Sequence, residues 1–173
     1  MSIQCRSQRT TSALKRQLAV SITACALLLV QYLLGMVVNV YVILPARHPG
    51  AGASNYFSGS ASSLAWVVSS GPGWAAAHAA LGMALAAAAI TGVALTWRHG
   101  SRTATTISVL GALAIVGAGF NGASFLTYGH AFSSMIMAGL WALALACYLT
   151  GAILAARGIQ RAEPGPGLLA SGT

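Results

Sequence analysis

Four long apolar runs, separated by polar breaks, dominate the order of residues. The first extends from about Leu18 to Leu44 and stops at Pro45. The second runs from Trp74 to Trp97, the third from Ala104 to Leu126 and the fourth from Ala131 to Ala156. None contains Asp, Glu, Lys or Arg. Each meets the length of about 20 residues that crosses hydrocarbon at a rise of about 1.5 Å per residue. Lipid offers no water to bond a bare backbone, so such segments close their hydrogen bonds internally. The pattern therefore predicts an all-α fold, a four-helix transmembrane bundle.

The breaks differ in length. Arg98–Thr103 and Thr127–His130 are short and make successive spans antiparallel neighbours. Pro45–Gly73 is long and rich in Gly, Ser and Ala. Of the nine Lys and Arg, all but Arg47 fall on the N-terminal segment, on Arg98–Thr103 or after Ala156. The positive-inside rule then puts both termini in the cytoplasm and the long loop outside. The expected organisation is a basic cytoplasmic N-terminus (1–17), a membrane domain (18–156) with an outer loop (45–73), and a disordered cytoplasmic tail (157–173) rich in Pro and Gly. The basic start and first run are too long for the roughly 7–15 residue core of a signal peptide, so the first run is read as a retained helix. The expected location is the cell membrane, as a multi-pass protein.

Composition agrees. Of the 173 residues, 57% are hydrophobic and 6% charged, where soluble domains carry about a quarter. The net charge of +8 invites a nucleic-acid reading. The cations flank apolar runs, which makes them topology signals beside a lipid bilayer and excludes nucleic acid as a partner. The sole acidic residue is Glu163, in the tail, so no carboxylate side chain is available within the spans for proton transfer. Cys5, Cys25 and Cys147 have no metal-type spacing, and the last two read as small apolar fillers.

Two features concern packing. Ala76, Ala80, Ala84, Ala88 and Gly92 recur every four residues in the second span; the third has Ala114, Ala118 and Gly122, with Gly117 and Gly119 beside them. Small residues at this spacing let helices approach closely in lipid. The outer loop has apolar anchors at Tyr56-Phe57 and Leu64–Val68, which suit a short helix or lid over the bundle mouth as well as they suit a tethered surface loop.

The polar positions within the spans are few. His78 lies about one turn into the second span and His130 at the start of the fourth, which places both near the outer end. Asn39 and Asn121 are near that end too, in a short repeat: Gly35-Met36-Val37-Val38-Asn39 and Gly117-Ala118-Gly119-Phe120-Asn121. The chain reads as two hairpins, each with Gly and Asn on the rising helix and His near the start of the descending one. Neutral imidazoles are axial ligands of haem iron. Gly82 and Ser134, one turn after each His, would leave room for a flat macrocycle, and Asn39 or Asn121 would bond a ring nitrogen or a propionate. Taken singly, each His better suits a helix cap bonded to water or a carbonyl; it is the pair at one depth that points to haem.

Gln31-Tyr32-Leu33-Leu34-Gly35, followed by His78-Ala79-Ala80-Leu81-Gly82, resembles one four-helix half of the heme A synthase family. The resemblance implies that His78 and His130 are axial ligands near the outer face. The chain departs from the family in having one half, no acid near His78 and no cysteine in the outer loop. The expectation is therefore one b-type haem between the second and fourth spans, for electron transfer or haem handling with a redox partner, rather than haem A synthesis. The alternative is a haem-free accessory or structural subunit of a larger membrane complex. A transporter or channel is disfavoured by the lack of charge within the spans.

Overall fold

The structure is a computed structural model that describes residues 2–99 and 101–162, with the side chains of 2–7, 9, 10 and 99 left aside. The described residues form five helices and no strand: α1 (Ser2–Tyr41), α2 (Tyr56–Ser70), α3 (Gly73–His99), α4 (Arg102–Tyr128) and α5 (Ala131–Ala162). Four of them, all but α2, are long and apolar enough to cross a membrane.

The turns follow from local chemistry. Asn55 caps α2 by accepting from the Ser58 N–H at 3.1 Å, and Ser101 caps α4 by accepting from the Ala104 N–H at 3.2 Å. Gly129 ends α4 at φ 71°, a left-handed conformation that costs glycine little, and its N–H bonds the Phe125 carbonyl at 2.8 Å. Pro72 separates α2 from α3, and its carbonyl accepts the Ala76 N–H at 2.9 Å.

Several boundaries differ from the sequence-based expectation: α1 stops at Tyr41 rather than Leu44, and two larger differences lie at the ends of the described chain. α1 begins at Ser2 rather than Leu18, and its 40 residues measure about 60 Å, twice the hydrocarbon thickness of about 30 Å. α5 continues through residues 157–162, part of the expected tail. The physical reason is mutual support: a Cβ on Gly158 would lie 3.1 Å from Leu14, so α1 and α5 pack together beyond the apolar spans. The rest of the tail, Glu163 included, lies outside the described residues, and the side chains of Cys5 and His99 are among those left aside.

α1 packs against α3 and α5, and α4 against the same two, so α3 stands diagonal to α5. The core at their centre is Leu28, Leu85, Ala89, Ala112, Ala114, Ile115 and Ala144. Trp141 closes the α1–α5 seam: its indole N–H donates to the Leu28 carbonyl at 2.7 Å, and its ring stacks on Tyr32 at 4.6 Å.

The small-residue faces divide. On α4 most point inward: Ala114 is buried, and Cβ atoms on Gly117 and Gly122 would lie 3.2 Å from Leu140 and from Met137 Sδ on α5, while Gly119 is exposed and faces no neighbouring side chain within 4 Å. On α3 the expected face does not pack within the bundle, because Ala80, Ala84 and Ala88 are exposed. Each four-residue step overshoots the helical turn by about 40°, so a strict four-residue run winds around the helix. The inward face of α3 is instead Ala75, Leu85 and Ala89.

The long loop between α1 and α3 folds back onto the bundle. α2 packs on α3 and α4, burying Gly59, Ser60, Ser63 and Val67. Its lead-in is strapped to the end of α4: the Gly52 N–H donates to the Thr127 carbonyl at 2.8 Å, and the Tyr128 hydroxyl donates to the Ala53 carbonyl at 3.2 Å. From α2 itself, the Tyr56 hydroxyl donates to the Phe120 carbonyl at 2.9 Å. These bonds cross long sequence separations, which no local pattern announces.

Candidate functional site

The polar centre of the bundle lies where α1 crosses α3. A helical period brings Gln31 and Gly35 of α1 to one face, one turn apart, and His78 and Gly82 of α3 to the facing one. A Cβ on Gly35 would lie 3.0 Å from His78 Cε1, so the imidazole rests against the bare backbone of α1. A Cβ on Gly82 would lie 3.1 Å from Gln31 Nε2. Each glycine thus makes room for the polar side chain opposite it.

The Gln31 amide donates to the His78 carbonyl at 3.0 Å and lies 3.4 Å from His78 Nε2. With the two amide protons directed at these two acceptors, the ring proton sits on Nδ1. Nδ1 and Gln31 Oε1 are then a buried donor and a buried acceptor, and neither has a hydrogen-bond partner among the described residues. Such groups are costly in an apolar surround, and the pair binds α1 to α3 through the two bonds that are made.

The other expected site residues are not gathered here. His130 is exposed in the turn between α4 and α5, with its ring centroid 6.1 Å from that of Tyr128. Contacts of α1 with α5, Ser21 with Gly151 and Leu14 with Gly158, set a register in which Gly35, and so His78, is level with about Met137. His130 stands about seven residues beyond that level, or roughly 10 Å. Asn121 donates from Nδ2 to the Gly117 carbonyl of its own helix at 3.0 Å, and Asn39 is exposed near the end of α1. Ser134 is half-buried on α5, while its neighbour Ser133 is buried.

The two Gly-x-x-x-Asn segments sit on the diagonal helices α1 and α4, as a pair of related hairpins would place them. Their partners differ. Gly35 meets His78, but Gly117 meets Leu140. The descending helices therefore carry a histidine against glycine in one hairpin and a leucine in the other.

These positions decide how well the residues suit a haem. An iron with two axial imidazoles needs both rings in line across one plane. Here His78 faces α1, Gly82 accommodates Gln31 rather than open space, and His130 lies outside the bundle. As arranged, the residues do not fit a haem held by that pair. The remaining candidates are structural: Cys25 and Cys147 are free and half-buried, and His48 stacks on Trp66 at 4.4 Å while its Nδ1 donates to the Pro49 carbonyl at 3.0 Å. Against protein-family models, curated proteins and solved structures, the chain finds no match.

Proposed function

We propose that the chain is a haem-free accessory or structural subunit of a larger membrane complex, set in the cell membrane with both termini cytoplasmic. The observation that carries this reading is the outward face of α3. Ala77, Ala80, Ala84, Ala87, Thr91 and Ala94 are all exposed and recur in alternating three- and four-residue steps. That alternation is the seam of a helix pair, and its residues are small enough for another backbone to approach closely. Thr91 turns its hydroxyl back to the Ala87 carbonyl at 2.9 Å, leaving its methyl on the seam. The outward face of α4 instead carries bulky residues such as Leu110, Leu113 and Phe120, which suit lipid tails, whereas α5 mixes Leu143 and Leu149 with exposed Ala138, Ala142 and Ala146. The orientation rests on Arg16, Arg98, Arg102 and Arg157 at one end.

A photoreactive side chain at Ala84 or Ala87, in intact cell membranes, is expected to give a discrete protein adduct. The same group at Leu113 or Leu149 is expected to give lipid adducts only. Equal behaviour at all four positions would remove the partner. A reporter fused after Ala162 should read as cytoplasmic and a tag at Ser54 as external; an external C-terminus would reverse the orientation.

One observation favours a second reading. His78 Nδ1 is buried without a hydrogen-bond partner among the described residues, and an ionisable residue within a span is by default a candidate for function. In that reading a b-type haem uses His78 and His130, for electron transfer or haem handling. It requires Gln31 to leave His78 and His130 to move inward.

A further inference from the structure

Each of the four spans ends, at the same end of the bundle, in an exposed arginine: Arg16 on α1, Arg98 on α3, Arg102 on α4 and Arg157 on α5. Contacts between the helices fix their relative heights. A Cβ on Gly151 would lie 3.2 Å from Ser21 Oγ and 3.8 Å from Ile107, which puts α1, α4 and α5 on one level there. The Thr105 hydroxyl lies 3.1 Å from the Thr96 carbonyl and does the same for α4 and α3. Counted outward from these contacts at a rise of about 1.5 Å per residue, the four arginines fall within about 5 Å of a single level. Arg161 follows about one turn beyond Arg157 and is also exposed. No Asp or Glu occurs among the described residues, since the only acid is Glu163.

We propose that this ring of arginines binds the headgroups of anionic phospholipids. The ring stands where the apolar spans end, beside Trp97, which is 75% exposed at the depth where indoles border headgroups. Basic residues at such a level attract anionic lipid, and the guanidinium fork pairs with two phosphate oxygens at once. A topology signal needs positive charge only while the chain inserts. A one-level ring from all four helices gives the folded protein a lasting site, matched to a lipid layer rather than to phosphate free in solution.

The test uses the purified full chain in a neutral detergent, where orientation in a membrane plays no part. Binding of phosphatidylglycerol and phosphatidylcholine with identical acyl chains is followed by native mass spectrometry. Phosphatidylglycerol is expected to bind at least tenfold more tightly, and millimolar inorganic phosphate is expected not to displace it. The combined Arg16→Gln, Arg98→Gln, Arg102→Gln and Arg157→Gln variant should lose the preference, and the matching Lys variant should keep only part of it. Equal binding of the two lipids by the unaltered chain would overturn the proposal, as would displacement by free phosphate. Should the fourfold Gln variant not fold, Arg98→Gln with Arg102→Gln alone must lower the preference severalfold; an unchanged preference there also overturns it.

Discussion

Trp141→Ala is expected to destabilise the bundle by about 3 kcal/mol, at the lower end of the range for buried Trp because one face of the residue remains open. The indole serves three purposes at once. It packs against the core around Leu28 and Ala144, it stacks on Tyr32, and its N–H meets the Leu28 carbonyl at 2.7 Å. Truncation removes all three from the seam between α1 and α5, and lipid cannot restore the packing within a close-packed interior. Trp141→Phe keeps a ring and loses only the hydrogen bond and some volume, so it should cost about 1 kcal/mol. Thermal unfolding in detergent, followed by circular dichroism, reads both. A midpoint for Trp141→Ala that matches the unaltered protein would mean that α1 and α5 are held together elsewhere.

Gly122→Leu is expected to cost about 1–3 kcal/mol, while Ala84→Leu should leave the bundle within about 0.5 kcal/mol of its original stability. The two positions look alike in sequence, since both belong to runs of small residues. They differ in what faces them. A Cβ on Gly122 already approaches Met137 Sδ at 3.2 Å, so three further carbons must push α4 away from α5. Ala84 is exposed, and a longer side chain there meets only lipid or a partner. Unfolding midpoints measured side by side decide this: equal losses at both positions would mean that the outward seam of α3 is packed within the bundle after all. Ala84→Leu has a second readout, because it should abolish the protein adduct formed through Ala87 without loosening the fold.

The spans were legible because burial in lipid imposes a one-dimensional rule, and residue type alone satisfies or violates it. Their facing was not. The four-residue run from Ala76 to Gly92 looked like a packing face, but a helix of 3.6 residues per turn carries such a run from the interface out to lipid. Heights were only partly readable. His78 and His130 both lie toward the α2 end, yet the register between α1 and α5 that separates them depends on contacts such as Leu14 with Gly158. Gln31 was visible as part of a motif, but its bond to His78 joins residues 47 positions apart and has no local signature. The folded-back loop was foreshadowed by its apolar anchors; its straps to Thr127 and Phe120 were not.

His78 joins α1 to α3 through Gln31, and the proposed accessory-subunit reading expects no haem. A reduced-minus-oxidised absorption spectrum of the protein, purified after haem-supplemented expression, tests it most directly. A colourless protein with no Soret or α-band difference is expected, and His78→Ala should then lower the unfolding midpoint without any spectral change. A low-spin b-type spectrum in the unaltered chain that disappears in both His78→Ala and His130→Ala would contradict it.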